Sequence, residues 1–536
     1  MRVWALIAAA LVAAPLLAVA LAVFTPGTGA TWQHLWSTVL GDYVLTTLWL
    51  CAGVGLGVAS LGVGAAWLVT RYDFPGRSSF EWALLLPLAM PAYVMAYAYT
   101  DLLQFVGPVQ SWLRETFGWR RPDYWFPDVR SLGGAVVMFS LVLYPYVYML
   151  ARTAFLERGA GMVEAGRVLG LTPRAAFWRL SLPLARPAIA AGVALALMET
   201  LADYGTVSYF AVQTFTTGIY RAWFSLGDRT AAAQLAMALL SFVVLVLVLE
   251  RLSRGGSRFH DSTLRGRTAV RVPLRGGAAW GAVLACALPL LGGFLLPGGV
   301  MLHMALTQAE AEFGARFFTL ALNSLKVAGT TALLATGLAL LIAYAARIHP
   351  AGSVRWASRV AGLGYAFPGS VIAVGVLIPV TWLDHALGAL LRDSLGVQVG
   401  LLLTGSIAAL VYACVVRYLT AALQSVEAGL ARITPRMEQA ARLLGYTPAQ
   451  TLRHVHLPLL RGSALTAGLL VFIDVMKELP ATLVMRPFNF DTLATQAYTL
   501  ASDERLAEAS APALAIVVVG MLPMILLCRQ VLRGTR

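Results

Sequence analysis

Apolar segments long enough to cross a bilayer dominate this sequence. A membrane-spanning helix needs about 20 mainly apolar residues, and about twelve stretches of the chain reach that length. Hydrophobic residues make up 59% of the 536 positions and charged residues 12%, so little polar surface is left for water. We therefore expect an all-α integral membrane protein with about twelve transmembrane helices. The stretches lie near 5–24, 45–69, 82–104, 133–151, 187–212, 232–250, 279–303, 321–346, 357–380, 400–420, 462–485 and 511–528.

One loop of the chain occurs twice, 275 positions apart and without a gap. Ten identities in one register indicate an internal duplication. The duplication predicts a first repeat at 1–250, a linker at 251–278 and a second repeat at 279–536, each with six spans. An even number of spans before the linker makes the repeats parallel, with a pathway at the interface between them. The identical residues are Ala165, Arg167, Leu169, Gly170, Thr172, Pro173, Leu182, Pro183, Leu184 and Arg186, which recur as Ala440, Arg442, Leu444, Gly445, Thr447, Pro448, Leu457, Pro458, Leu459 and Arg461.

The positive charges of the chain concentrate on one side of the predicted membrane. The net charge is +14, and the basic clusters run from Arg152 to Arg186, Arg251 to Arg275 and Arg417 to Arg461, each between two spans. This distribution follows the positive-inside rule and predicts cytoplasmic N- and C-termini. A protein embedded in membrane lipid with its positive charges on one side explains the net charge. We therefore expect membrane lipid, and no nucleic acid, as a partner.

The repeated loop predicts a compact pair of short helices. Gly170 is typical of a helix end, and Thr172 before a proline is typical of a helix start. The Leu-Pro pair at Pro183 should then break the second helix before the next span. The second copy has Gly445, Thr447 and Pro458 in the same places.

The loop pattern resembles the EAA loop of ABC-importer permeases, where the membrane subunit meets its ATPase. The resemblance implies two coupling loops, at about 152–186 and 421–461, and two ATP-binding cassette subunits as partners. The alternative is a surface helix pair that only stabilises the cytoplasmic face. One position departs from the pattern, since Gln439 stands where the first copy has Glu164, and Glu438 comes one residue early. The implied ATPase-coupling residues are Glu164, Ala165, Gly166, Gly170, Pro183, Gln439, Ala440, Ala441, Gly445 and Pro458.

The chain has no sequence motif for ATP hydrolysis. A P-loop requires a Gly-Lys-Ser/Thr ending so that its lysine reaches the phosphates. The two lysines, Lys326 and Lys477, precede Val and Glu. We therefore expect no cofactor on this chain, with ATP and Mg held by partner subunits, and a transport subunit rather than an enzyme. The scattered histidines and four single cysteines indicate no zinc site and no catalytic nucleophile.

Four acidic residues fall within predicted spans. Glu199 and Asp203 are four residues apart and should share one helix face, and the 275-residue register maps them onto Asp474 and Glu478. Ionisable groups at that depth are costly and usually face a pathway or a partner. Four carboxylates would suit a hard cation, which makes the same residues candidate metal ligands. Alternatively the acids are structural, paired with Lys477 or capping a helix break.

Three glycines of the second stretch, Gly53, Gly57 and Gly64, provide small surfaces on one helix. Such residues let helix backbones approach closely in membranes. They predict close helix packing, with a role in gating as the alternative.

Two further pairs of stretches resemble the fused permeases of bacterial ferric-iron ABC importers. The resemblance implies the MetI-like fold of type I importer permeases in the bacterial cytoplasmic (inner) membrane. It also implies a periplasmic ferric substrate-binding protein that delivers iron, and ATPase closure that rocks the two halves between inward and outward access. The stretches are Met198–Val207 with Gln213–Tyr220, and Asp474–Thr482 with Arg486–Ala494.

Other functions remain open from the sequence. The same architecture serves permeases for thiamine or polyamine, whose cationic charge the four acids could recognise equally well. An ion-coupled secondary transporter would use these acids without any ATPase, and a membrane enzyme lacks a nucleophile or metal constellation. Ala18-Val19-Ala20 after an apolar run also allows a cleaved signal peptide, which would leave eleven spans.

Overall fold

A computed structural model of the chain describes residues 2–22, 24, 29–168, 170–254, 271–307, 314–348, 352–396, 400–431 and 433–534. Most of the linker predicted at 251–278 lies outside these described residues. The described helices of the first sequence repeat are α1 (Arg2–Ala22), α2 (Gly29–Thr38), α3 (Leu40–Arg71), α4 (Arg77–Ala83), α5 (Ala92–Leu103), α6 (Pro108–Phe117), α7 (Leu132–Val168), α8 (Pro173–Ala176), α9 (Leu182–Ala202), α10 (Gly205–Tyr209), α11 (Phe215–Tyr220) and α12 (Arg229–Arg254).

The described part of the second repeat is also helical. Both repeats also contain short irregular helical segments. These are 3₁₀ turns at Leu86–Ala89, Arg121–Asp123 and Gly364–Ala366, and five-residue π-helical segments at Phe177–Ser181, Arg221–Ser225, Leu291–Leu295 and Leu452–His456. The helices are α13 (Gly277–Leu290), α14 (Leu296–Thr307), α15 (Ala315–Ile348), α16 (Gly352–Ala361), α17 (Gly369–Leu395), α18 (Ile407–Ala431), α19 (Pro435–Leu443), α20 (Pro448–Thr451), α21 (Leu457–Met476), α22 (Pro480–Met485), α23 (Leu493–Ser502) and α24 (Leu506–Gly534).

The predicted all-α membrane fold is confirmed. Among the described residues, ten helices are long and apolar enough to cross a membrane. An eleventh span arises if the helices Arg77–Ala89 and Ala92–Phe117, bent by 93°, count as one, and Leu506–Met521 is a shorter apolar helix. Each of the twelve apolar stretches seen in the sequence therefore overlaps one of these helices or helix pairs.

One short sheet holds the end of the linker. Strand β1 (Tyr72–Asp73) pairs in parallel with β2 (Val272–Pro273), and the N–H of Leu274 donates to the carbonyl oxygen of Asp73 at 2.9 Å. Both strands belong to the same compact unit. The segment that leads into the second repeat is thus anchored beside the end of α3.

The chain divides into two compact units that do not coincide with the two sequence repeats. The first unit contains Met1–Ser37, Gly218–Leu240 and Glu312–Thr499, and the second contains Thr38–Thr217, Ser241–Ala311 and Leu500–Arg536. Each unit therefore combines the body of one repeat with residues of the first and last spans of the other repeat.

In the first unit, α1 packs against α15, α16 and α17. The approach to α17 is close, since a Cβ atom at Gly375 would lie 2.9 Å from Val19 Cγ2. The hydroxyl of Tyr412 in α18 also donates to the carbonyl oxygen of Leu11. The first helix of the chain is therefore an integral part of this unit.

In the second unit, α3 lies along α7, and glycines bring the two helices together. A Cβ atom at Gly53 would lie 2.8 Å from Val136 Cγ2, and one at Gly57 would lie 2.7 Å from Ser140 Cβ. The close packing predicted for these two glycines is confirmed. For Gly64 the packing prediction is wrong, because nothing lies within 4 Å of such an atom and the residue is exposed.

The contact face passes through Gly62 instead, which gives a matched pair of substitutions. A Cβ atom at Gly62 would lie 2.7 Å from Val147 Cβ and 2.9 Å from the carbonyl oxygen of Tyr144. Because backbone atoms cannot move aside cheaply, we expect Gly62→Leu to destabilise the protein by about 1–3 kcal/mol, the usual range for overpacking. Gly64→Leu should leave the thermal unfolding temperature of the purified protein unchanged. Equal effects of the two variants would contradict this packing.

Candidate coupling loops and intramembrane acids

The first repeated loop begins on a continuous helix. Helix α7 extends through Glu164, Ala165 and Gly166 to Val168, although the side chains of Glu164 and Ala165 lie outside the described part of the structure. Gly170 then has a φ of +86°. This left-handed conformation suits glycine and ends the helix, as predicted.

The end of α7 is closed by a backbone hydrogen bond and by close packing. The N–H of Leu171 donates to the carbonyl oxygen of Gly166 at 2.9 Å, the bond expected at a glycine-terminated helix. A Cβ atom at Gly166 would lie 2.6 Å from Leu180 Cδ1. Residue 166 thus brings the end of α7 against the helix that follows. In the second copy Ala441 occupies this position and is also buried.

The threonine caps predicted in both loops are confirmed. Thr172 Oγ1 accepts the N–H of Ala175 at 3.3 Å, and Thr447 Oγ1 accepts the N–H of Gln450 at 3.3 Å. In the second loop the Gln450 side chain also accepts the N–H of Thr447 at 2.8 Å, which completes a reciprocal capping box. The turn between the two helices is therefore fixed in both copies.

The helix break predicted at Leu182-Pro183 and Leu457-Pro458 is wrong. In both copies the helix continues into the next span through a π-helical segment, Phe177–Ser181 or Leu452–His456. The N–H of Leu182 donates to the carbonyl oxygen of Phe177, five residues back. A proline cannot make the ordinary bond four residues back, and the change of hydrogen-bond register before Pro183 and Pro458 accommodates its missing N–H.

The second loop starts differently from the first. Helix α18 ends at Ala431, and a separate helix α19 begins at Pro435, where the first repeat has Ala160 inside a continuous helix. Arg347 lies across this break and donates to Glu438. Glu438 is therefore paired within the chain, whereas Gln439, in the register of Glu164, is exposed.

The second loop exposes apolar side chains beside its turn. Leu443 is 89% exposed and Leu444 is 75% exposed, immediately before Gly445 at a φ of +80°. Ala440 and Pro458 are exposed as well. Such a patch on a helix outside the predicted spans is typical of a protein-docking surface.

The expectation that Glu199 and Asp203 share a helix face is wrong. Helix α9 ends at Ala202, and Asp203 has an extended backbone with φ −71° and ψ 137°. Its carboxylate accepts the N–H groups of Thr206 at 2.8 Å and Val207 at 3.3 Å, at the start of α10. Aspartate readily bonds nearby backbone N–H groups in this way and thereby favours a helix start. Glu199 remains in α9, half-buried.

Asp474 and Glu478 do not share a helix face either. Helix α21 ends at Met476, because Pro480 would clash with the carbonyl four residues earlier if the helix continued. The Glu478 carboxylate accepts the N–H of Ala481 at 2.9 Å, at the start of α22. The two repeats therefore place an acid at the same kind of helix break.

Glu478 has an additional set of partners in α18. Its carboxylate accepts hydrogen bonds from Arg417 and from the hydroxyl of Tyr418, and the whole residue is 4% exposed. The positions equivalent to Arg417 and Tyr418 in the first repeat are Val142 and Leu143. Asp474 pairs with Lys477 at 2.9 Å. Both acids of the second repeat thus have a basic partner.

The sequence interpretation missed the role of Arg417. It assigned this residue to the border of a cytoplasmic basic cluster, but Arg417 is 7% exposed inside α18. The available signal was a lone arginine within the run Val415–Leu419, since a charge in an apolar span needs a partner. Among the residues that the structure describes, no group of three or more His, Cys, Asp or Glu side chains is arranged to hold a metal ion.

Comparison with known proteins identifies the class to which these features belong. Residues 59–254 match the family described as the inner membrane component of binding-protein-dependent transport systems. The matched region includes the first repeated loop and the Asp203 helix break. The chain is therefore a multi-pass inner-membrane permease of the binding-protein-dependent, ATP-binding-cassette class.

Individual relatives support this assignment over different lengths. The Fe(3+)-transport system permease protein FbpB 2 of Haemophilus influenzae is 26% identical over 496 residues, which cover 91% of this chain and 90% of the relative. The sulfate transport system permease protein CysT of Escherichia coli is 29% identical over 190 residues, 34% of this chain and 64% of the relative. The molybdenum transport system permease protein ModB of Escherichia coli is 27% identical over 226 residues, which cover 38% of this chain and 95% of the relative. A match along nearly the whole chain is thus found with a permease that is itself long enough to contain both repeats.

Proposed function

We propose that this permease carries ferric iron into the cytoplasm, driven by ATP hydrolysis on two separate ATP-binding cassette subunits. The observation that carries the ATPase part is the pair of capped loops, each ending a helix with a left-handed glycine. A rigid loop continuous with a span transmits a push, whereas a flexible loop would absorb it. Each loop would receive one ATPase subunit, and closure of the ATPase dimer would move the spans.

The exposed patch of the second loop supports docking of a protein there. Leu443 and Leu444 expose apolar side chains next to Gly445, and Gln439 on the same helix is exposed as well. Burying two leucines on docking would contribute about 1.5–3 kcal/mol for each fully covered side chain. ATP and Mg would then be bound by the partner subunits, since the chain has no P-loop sequence.

The proposed orientation places both loops in the cytoplasm. The basic clusters from Arg152 to Arg186 and from Arg417 to Arg461 contain the two loops and favour that side of the membrane. The N- and C-termini would then be cytoplasmic as well. A ferric substrate-binding protein would deliver its cargo to the opposite, periplasmic face.

The choice of ferric iron rests on the relative that matches nearly the whole chain. The intramembrane acids favour a cation, since carboxylate oxygens are ligands that hard cations prefer. Glu199, Asp203, Asp474 and Glu478 are the candidates for lining the pathway, and in the second repeat Arg417 pairs with Glu478 and Lys477 with Asp474. A permease for thiamine or polyamine is the second candidate, since the same acids could attract an organic cation.

The proposal is tested by uptake of radiolabelled Fe³⁺ in iron-starved cells that contain the ATPase and the binding protein. We expect uptake to require this chain and ATP, and to persist when the proton and sodium gradients are collapsed while ATP is maintained. Uptake that collapses with an ion gradient would instead indicate a secondary transporter. No iron uptake, together with uptake of labelled thiamine or spermidine by the same cells, would assign the second candidate.

A further inference from the structure

The second loop is joined to the spans through a single arginine. Arg347 lies at the end of α15, and its guanidinium donates to the carbonyl oxygens of Leu430 and Ile433 and to the carboxylate of Glu438. The two carbonyls belong to the end of α18 and to the break that follows it, and Glu438 lies in α19. One side chain therefore connects three helices across a gap in the backbone helix.

A buried histidine extends this connection to the next span. His456 is 1% exposed, its Nε2 lies 3.4 Å from Glu438 Oε1, and its ring packs edge-on against Tyr344 at 5.2 Å between centroids. His456 ends the π-helical segment that leads into α21. Glu438 thus lies between Arg347 of α15, which donates to it, and His456 at the base of α21. We call Arg347, Glu438 and His456 the clamp.

The residue types of the clamp do not recur at the matching positions of the first repeat. The register places Tyr72, Val163 and Ser181 where the second repeat has Arg347, Glu438 and His456. Ala160 replaces Pro435, and α7 is continuous from Leu132 to Val168. The clamp therefore lies at an interruption of the backbone helix that α7 does not have.

Aromatic side chains pack the base of the first loop. The Trp67 ring lies 5.3 Å from the Phe155 ring and 4.8 Å from the Phe177 ring, between centroids. An ion pair between Arg152 and Glu81 also joins α7 to α4, but it bridges no break in α7. The first loop is thus connected to its span by continuous backbone and apolar packing.

We propose that the clamp transmits movement of the second coupling helix to the spans, so that the two loops couple to their ATPase subunits by different means. In the first loop a push on α7 passes along one continuous helix. In the second loop α19 is a helix separate from α18, and Arg347 connects it to α15 and to the end of α18. Arg347 and Glu438 are positioning residues, and Glu438 is consequently not available to the ATPase. This inference rests on the proposed ATP-driven function.

The test compares Arg347→Gln, Arg347→Lys and Glu438→Gln with Arg355→Gln in the complete transporter. Arg355 is an exposed arginine of α16 in the same unit, so its replacement removes the same charge away from the clamp. Three quantities are measured for each variant: ATPase subunits co-purified, ATP hydrolysed by the complex, and Fe³⁺ taken up per ATP.

We expect Arg347→Gln and Glu438→Gln to keep their ATPase subunits and to hydrolyse ATP, but to lose about 10-fold in iron per ATP, within the usual range of coupling between sites. Arg347→Lys keeps the charge beside Glu438 but not the planar fork that reaches two carbonyls, so its loss should be intermediate. Arg355→Gln should match the wild type.

Unchanged iron per ATP in Arg347→Gln would overturn the proposal. Loss of the assembled complex in both Arg347→Gln and Glu438→Gln would overturn it too, because the clamp would then serve folding alone. If the wild-type complex takes up no iron with ATP, the proposed function fails instead. ATP hydrolysis without iron uptake would then contradict iron as the substrate, but not the ATP-driven mechanism.

Discussion

Replacing Gly445 by valine is expected to abolish transport while the permease remains in the membrane. Gly445 has a φ of +80°, which a β-branched residue adopts only with strain. Valine would displace the turn that joins α19 to α20, and the surface proposed to dock the ATPase would lose its fixed geometry. We expect uptake to fall by ~100-fold, near the upper end of coupling between distant sites.

The matched variant Gly445→Asn separates backbone conformation from side-chain bulk. Asparagine tolerates the left-handed region, and among the described residues no atom beyond the adjacent residues lies within 4 Å of the position its Cβ would take. It should therefore retain most of the uptake, as should Gly170→Asn beside Gly170→Val in the first loop. If the valine and asparagine variants lost uptake equally, the bulk of the side chain on the proposed docking face would be the cause. Full uptake by the valine variant would exclude a role of the turn in coupling.

Breaking the buried pair of Arg417 and Glu478 is expected to have the largest effect on stability. Arg417→Leu leaves the Glu478 carboxylate buried without its basic partner, and breaking such a pair typically costs about 3–5 kcal/mol. The N–H of Ala481 and the Tyr418 hydroxyl still reach the carboxylate, but neither supplies a positive charge. The thermal unfolding temperature of the detergent-purified permease measures the loss.

A second substitution should recover most of that stability. In the double variant Arg417→Leu, Glu478→Gln, the glutamine oxygen still accepts the Ala481 N–H and no buried charge remains. Asp203→Asn is the matched control in the first repeat, because asparagine keeps an oxygen for the Thr206 N–H and no arginine is stranded. A double variant as unstable as Arg417→Leu alone would show that packing of the arginine, and not its charge, is what the site requires.

The sequence predicts the elements of this permease better than the points where they break. Apolar length alone locates the spans, since a bilayer imposes the same requirement on each of them. The caps at Thr172 and Thr447 were also predictable, because they depend on residues within one turn. Local chemistry and the membrane therefore determine much of the architecture.

The helix ends within the membrane depended on contacts that the sequence does not reveal. The spacing of Glu199 and Asp203 fits one helix face. However, the Asp203 carboxylate accepts the N–H groups of Thr206 and Val207, and this cap of the next helix ends α9 before Asp203. At Pro183 the opposite occurred, since a π-helical segment kept the helix continuous past a proline. In both cases the outcome depends on particular hydrogen bonds that residue spacing alone does not reveal.

Asymmetry between the repeats was also hidden by their similarity. The register aligns Glu478 with Asp203, yet only Glu478 meets an arginine, and that arginine lies 61 residues earlier in the chain. Arg347 and Glu438 are separated by 91 residues. Pairs this distant in sequence cannot be recognised from spacing.

The composition of the two compact units has a consequence for biosynthesis. Helix α1 leaves the ribosome before every other described helix, yet its packing partners α15, α16 and α17 are made only after the whole first repeat. Until then α1 waits in the membrane without them, and early contacts of the nascent chain are necessarily provisional. Two separate polypeptides would have to find each other to complete either unit. A single chain guarantees that every α1 meets a complete set of partners, in equal number and in the same patch of membrane.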